Sequence, residues 1–129
     1  MLITSIPQYI QGLTNAKVDL TNTNDTVLYT APSDSDFNAS VISSLLVSND
    51  SGSADTITVT LISGSDTFSV YKLEEVGALS TKELLTNDLI MQGGEVLKVQ
   101  AATGARLHVI ASIQELNKTR IKTSALTNI

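Results

Sequence analysis

Asp55-Thr-Ile-Thr-Val-Thr-Leu-Ile62 is the stretch that decides the fold. Its apolar residues Ile57, Val59 and Leu61 alternate with threonines at a strict period of two. Successive side chains of an extended chain point to opposite faces, so this pattern predicts a β-strand with one buried and one hydrated face. The high Thr content also favours strands over helices, although aromatic residues make up only 4% of the chain.

The segments on either side of this strand carry the same pattern. Residues 39–49 place Val41, Leu45 and Val47 on one face, and a dense cluster of turn residues follows at 49–54. We therefore expect the two runs to form an antiparallel hairpin. Ser63-Gly-Ser-Asp66 is a second turn, and the strand predicted over 67–73 would extend the hairpin into a three-stranded meander.

A second pair of strands is predicted near the C-terminus, over 95–101 and 105–113, joined by Thr103-Gly104. Another strand covers 25–30 and ends before Pro32, which cannot donate to a ladder. The segment 73–92 stays open between a short helix and a strand or loop, because Ser80-Thr-Lys-Glu83 matches a capping box.

Some seven strands separated by turns, without a long helical pattern, predict an all-β fold. We expect a single antiparallel β-sandwich, jelly-roll-like or immunoglobulin-like, over residues 20–115. A chain of 129 residues is long enough for one such domain. Residues 1–19 and 116–129 are predicted to be extended N- and C-terminal arms.

The two arms are polar and carry isolated hydrophobic residues, so neither could fold by itself. We expect neighbouring chains to hold them. Lys118, Arg120 and Lys122 recur at every second position, which is typical either of a solvated tail or of docking on an acidic surface such as another copy. The predicted partner-binding residues are Ile6, Ile10, Leu13, Lys118, Arg120, Ile121, Lys122, Leu126 and Ile129.

Composition excludes several classes of function. A net charge of -5 opposes binding to nucleic acid, and no apolar run approaches the roughly 18 residues of a membrane-spanning helix. The start of the chain lacks the pattern of a secretory signal. The absence of cysteine removes disulfides, thiolate nucleophiles and cysteine zinc sites.

Candidate catalytic residues are few. His108 is the only histidine, and its place in an alternating strand turns it away from the apolar face. Asp34-Ser-Asp36-Phe-Asn38 begins like a calcium loop, but Leu45 stands where the loop needs its last glutamate. The serines do not occur in a nucleophile elbow. We expect a protein that is not an enzyme, with no catalytic residue, cofactor, metal or small-molecule substrate.

Three segments carry a resemblance: Thr26-Val-Leu-Tyr-Thr-Ala-Pro32, Val41 to Gly52, and Leu89-Ile-Met-Gln-Gly-Gly-Glu-Val-Leu-Lys-Val-Gln-Ala101. Together they resemble a group of small bacteriophage structural proteins with jelly-roll-like or immunoglobulin-like folds. The resemblance implies a virion component assembled in the host cytoplasm, most readily a capsid decoration (cement) protein. Its partners would be other copies, a trimer being one form, and major capsid or tail proteins.

Two further interpretations remain open at this point. A neck, tail or baseplate component would need the same body and arms as a cement protein. A receptor- or carbohydrate-binding module would usually expose aromatic rings for stacking on sugars, and the chain has no Trp, three Tyr and two Phe.

Overall fold

The computed structural model describes residues 9–118, which form nine β-strands and no helix. The predicted all-β class is confirmed. The strands are β1 Tyr9–Leu20, β2 Thr26–Thr30, β3 Phe37–Asn49, β4 Asp55–Ser63, β5 Asp66–Val76, β6 Ser80–Glu83, β7 Leu89–Met91, β8 Val96–Ala101 and β9 Leu107–Asn117.

The strands form two antiparallel sheets packed as a sandwich. Sheet one has the order β1-β9-β3-β6, with β7 also paired to β3, and sheet two has the order β2-β8-β4-β5. The pairs are nested: β1 with β9, β2 with β8, β3 with β6 and β7, and β4 with β5. This is one long hairpin folded over itself, so the sandwich has a jelly-roll arrangement rather than an immunoglobulin-like one.

The core lies between the sheets and follows from the alternation in the sequence. In β4, Ile57 and Val59 are fully buried, and so are Leu107 and Val109 of β9 in the other sheet, which belong to the same core cluster. In β3 the register with β9 shifts between Ile42 and Ser44. The extra residue in this bulge lets Ile42 and Leu45 both point inwards although they are three residues apart.

The hairpin predicted between residues 39–49 and 55–62 is wrong. β3 belongs to sheet one and β4 to sheet two, so residues 50–54 cross from one sheet to the other. The Asn49 side chain holds this connection, since its Nδ2 donates to the carbonyls of Ser53 at 2.8 Å and Val76 at 3.2 Å. Of the predicted meander, only the antiparallel pairing of β4 with β5 through Gly64-Ser65 is confirmed.

The second predicted hairpin is also wrong, because β8 lies in sheet two and β9 in sheet one. Their connection packs against the end of β1: the Ala105 N–H donates to the Leu20 carbonyl at 2.9 Å. A Cβ atom on Gly104 would come within 2.8 Å of the Thr21 carbonyl oxygen, so this close approach requires glycine.

The structure assigns parts of both predicted arms to strands of the sandwich. Residues 9–19 of the expected N-terminal arm belong to β1, which pairs with β9 from Tyr9↔Asn117 to Leu20↔Leu107. β1 is an edge strand whose inward residues Ala16 and Val18 are only half-buried, which weakens its sequence signal. Leu116 and Asn117 likewise belong to β9, and residues 1–8 and 119–129 lie outside the described residues.

The segment 73–92, open between helix and strand, contains β6 and β7. The Ser80 hydroxyl donates to the Gly77 carbonyl at 2.7 Å instead of capping a helix. The Glu83 carboxylate reaches across to β3 and accepts a hydrogen bond from the Leu45 N–H at 2.7 Å. The residues of the capping-box pattern therefore stabilise a sheet edge.

Candidate interaction surfaces

The face of sheet one that points away from sheet two carries exposed hydrophobic side chains, and we call it the outer face. Ile110 lies between Lys17 on β1 and Leu46 on β3 in the strand register. Four hydrophobic residues of this face are exposed: Leu13 at 75%, Ile90 at 53%, Ile110 at 45% and Leu46 at 37%. Ile110 and Leu46 are cross-strand neighbours, and adjacent exposed apolar side chains of this kind are a candidate contact for another protein.

His108 also lies on the outer face, opposite Asp19 on β1. Its Nδ1 is 3.4 Å from an Asp19 carboxylate oxygen, and its Nε2 is 3.2 Å from a carboxylate oxygen of Asp50. Because both ring nitrogens already face carboxylates, the ring is not placed to take a proton from a substrate. The geometry suits a link between β1, β9 and the connection after β3.

One depression on the outer face is lined by Lys17, Asp19 and His108, and the His108 ring already faces the Asp19 and Asp50 carboxylates. Another depression, of about 450 Å³, is shallow, and Leu13, Asn15 and Ser112 are among its lining residues. It contains no ionisable side chain, and the Ser43 hydroxyl donates to the Ser112 carbonyl at 3.3 Å. Over residues 9–118 no group of three or more His, Asp or Glu side chains could hold a metal ion.

The Asp34 loop is a turn. One carboxylate oxygen of Asp34 accepts hydrogen bonds from the backbone N–H groups of Asp36 at 3.1 Å and Phe37 at 3.0 Å. Asp and Asn commonly make this Asx turn before a strand. The carboxylate therefore shapes the entry to β3.

Two polar clusters shift the pKa of their members for structural reasons. Burial, followed by the 2.5 Å hydrogen bond that Tyr29 donates to Glu115, raises the pKa of the Tyr29 hydroxyl. Burial alone would raise the pKa of Glu83, but hydrogen bonds from the Ser44 hydroxyl and the Leu45 N–H outweigh it and hold that pKa below its ordinary value. The Tyr29 cluster joins the two sheets, and the Glu83 cluster joins β6 to β3.

The free edges of the sheets are the second kind of candidate surface. β1 forms one edge of sheet one and β5 one edge of sheet two. The register of β1 runs without interruption from Gly12 to Leu20, whereas that of β5 shifts twice, on either side of Val59. Leu73 of β5 also has a positive φ of 53°. β1 therefore presents the more regular edge to a further strand.

Three of the predicted partner-binding residues lie among the described residues. Ile10 and Leu13 are on β1, exposed at 58% and 75%. Lys118 follows β9 and is exposed, and its backbone N–H donates to the Asp36 carbonyl at 2.8 Å. Ile6, Arg120, Ile121, Lys122, Leu126 and Ile129 lie outside the described part of the chain.

Sequence reasoning missed the other hydrophobic residues of the outer face. Leu46, Ile90 and Ile110 each stand between two apolar neighbours, in Leu45-Leu46-Val47, Leu89-Ile90-Met91 and Val109-Ile110-Ala111. A half-buried strand should carry a polar residue at such a position. The break in alternation was the signal that could have found them.

No protein family model matches the chain, and no curated protein matches it. No helix in the described part of the chain is long and apolar enough to cross a membrane.

Solved structures do resemble the chain. Two crystal structures of a pentameric capsid protein isolated from metagenomic phage sequences each share 15% identity with it and have TM-scores of 0.48. The match covers 81% of this chain and 63% and 61% of those chains. A structure of the infectious bursal disease virus Gx strain shares 9% identity over 84% of this chain and 32% of that chain, with a TM-score of 0.47. The chain thus spans less than two thirds of each.

Proposed function

We propose that the protein is a non-enzymatic structural component of a virus particle, held in place by contacts with copies of itself and with shell proteins. The observation that carries the proposal is the outer face of sheet one, where Leu13, Leu46 and Ile110 are exposed beside a regular free edge. Jelly rolls serve viral capsids, lectins and cupins, so the fold alone does not choose among them.

The surfaces favour a structural role over an enzyme or a sugar-binding module. An enzyme would need converging reactive groups, and the ring nitrogens of His108 face carboxylates instead. A sugar-binding site would offer exposed rings, yet both Tyr29 and Tyr71 use their hydroxyls inside the protein and Phe37 is buried. Phe68, 54% exposed, is the one exposed aromatic ring among the described side chains.

Within the structural role we favour a capsid decoration protein, with a neck, tail or baseplate component as the alternative. The fully buried core gives a rigid body, and the exposed apolar side chains of the outer face give it a surface for a neighbouring subunit. The sequence resemblance to small phage structural proteins supports the same choice.

Copy number tests this proposal. The protein would be quantified by mass spectrometry with isotope-labelled standard peptides, in purified virus particles whose genome encodes the chain. Hundreds of copies per particle are expected for a decoration protein, and a few to a few dozen would indicate the neck or tail. Absence of the protein from purified particles would overturn a virion role altogether.

A further inference from the structure

The free edge of β1 and the basic segment near the C-terminus have complementary properties. We propose that the edge over Gly12–Leu20 in one copy accepts residues 119–129 of a second copy as an additional strand. This inference rests on the proposed structural function and deepens it, because it names the surface and the segment through which copies join.

The first observation is the edge itself. β1 has a hydrogen-bonded neighbour on one side, β9, and nothing is paired to its other side over the described residues. Its register is regular from Gly12 to Leu20, so the outward N–H and C=O groups form an even row. Its charged residues Lys17 and Asp19 lie on the outer face, and no charge points inwards to repel a strand.

The second observation is an apolar surface left partly open beside that edge. Ala16 and Val18 point towards the core and pack against it but remain half-buried. β2, the edge strand of sheet two on this side, has only five residues against the twelve of β1, so it cannot cover the full length of β1. An apolar side chain on an added strand would complete this cover.

The third observation is the distribution of charge. All thirteen acidic residues lie between Asp19 and Glu115. Residues 119–129 contain Arg120 and Lys122 and no acidic residue. In an extended strand Arg120 and Lys122 would share one face and Ile121 the other. Ile121 would then lie alongside Ala16 and Val18, with the two cations on the outer face, where β1 carries Asp19.

The exit of the chain favours a second copy over the same one. Asn117, at the end of β9, pairs with Tyr9 at the start of β1. To reach the free edge of its own β1, the chain would have to turn round the end of that strand, where residues 1–8 connect. If extended, the eleven residues 119–129 would span about 36 Å, which exceeds the roughly 30 Å of the nine-residue edge Gly12–Leu20. The segment is therefore long enough to pair along that edge.

Complementation between two full-length variants tests the proposal. Ile121→Asp places a charge on the apolar face of the donated segment, and Val18→Asp places one on the apolar face of the accepting edge. Light scattering should show a discrete oligomer for the unchanged protein and monomers for each variant alone. Mixing the two variants should restore a complex, because one supplies an intact edge and the other an intact segment. The matched control Val70→Asp, a half-buried valine on β5, should leave the oligomer intact.

Three results would overturn the proposal. The unchanged protein could be a monomer at all concentrations, the two variants could fail to associate on mixing, or Val70→Asp could dissociate the oligomer as Val18→Asp does. If Val18→Asp does not fold, a labelled peptide of residues 118–129 added to Ile121→Asp gives the same answer by fluorescence anisotropy. Binding should weaken with ionic strength. Copy number in particles is measured independently, so failure of the strand-exchange proposal does not decide whether the protein is part of the virion.

Discussion

β1 and β5 are both long edge strands, of twelve and eleven residues, and the protein treats them differently. β5 is interrupted by two register shifts, which twist an edge and spoil it as a template for further strands. β1 keeps an even register over Gly12–Leu20. An interrupted edge resists pairing with a further strand and a regular edge permits it, so association is favoured at β1. Three expected effects on stability test this comparison of the sheet edges.

The largest effect tests whether β1 is a full member of the sandwich. Leu20 at its end is 2% exposed and belongs to the core. Leu20→Ala should lower the free energy of unfolding by about 2–4 kcal/mol, because burial is lost and a cavity remains. Urea denaturation measures this change.

The matched control for Leu20 lies on the other edge. Phe68 on β5 is 54% exposed, so Phe68→Ala should cost about 1 kcal/mol or less, through the smaller apolar area that it buries. Equal costs for the two substitutions would show that β1 is no better anchored than β5.

The next effect concerns the opposite edge of sheet one, where Glu83 of β6 accepts hydrogen bonds from β3. Glu83→Gln should lower stability at neutral pH by about 1 kcal/mol, a value reduced for the exposure of this side chain. The folded-state pKa of Glu83 is lowered from 4.5. Its contribution is therefore complete above that value and is lost as the pH falls through the lowered folded-state pKa.

Denaturation curves at several pH values would reveal this loss as a convergence of the two proteins in acid. Glu75, an exposed residue on β5, provides the control. Glu75→Gln should change stability by a few tenths of a kcal/mol, the usual range for surface substitutions. A constant difference between Glu83→Gln and the unchanged protein down to low pH would contradict the role of the Glu83 carboxylate.

The same contrast explains what the sequence could predict. The alternation of Ile57, Val59 and Leu61 reports which face of a strand is buried, and the strands and the sandwich class followed from it. Alternation does not report which strand lies alongside. A turn within a sheet and a connection between sheets use the same residues, so residues 50–54 resembled a hairpin turn.

The candidate surfaces were predictable only in part. Ile10 and Leu13 were chosen as isolated hydrophobic residues, and both are exposed. Ile110 was hidden because it stands in an apolar run, where its outward orientation depends on the register with Lys17 and Leu46. The edge of β1 is a property of the assembled sheet, since no local pattern says that a strand lacks a second neighbour.

The smallest effect comes from a glycine substitution on each edge, and the two substitutions should change stability in opposite directions. Leu73 on β5 has a φ of 53°, a left-handed conformation that strains any residue with a Cβ, and its side chain is 60% exposed. Leu73→Gly should therefore be neutral or stabilise the fold by up to about 1 kcal/mol. The Leu73 N–H, which donates to the Thr58 hydroxyl at 3.2 Å, is kept in this variant.

Leu13 on β1 is similarly exposed, at 75%, but lies in the regular part of the β1–β9 register. Leu13→Gly gains no relief from strain and adds conformational freedom to the unfolded chain, so it should cost about 0.5–1 kcal/mol. Thermal unfolding of both variants beside the unchanged protein measures the sign directly. Loss of stability in Leu73→Gly equal to that in Leu13→Gly would mean that the β5 bulge is held by contacts of the Leu73 side chain. The edge of β5 would then be shaped by packing, and the contrast with β1 would lie in side chains rather than in the backbone.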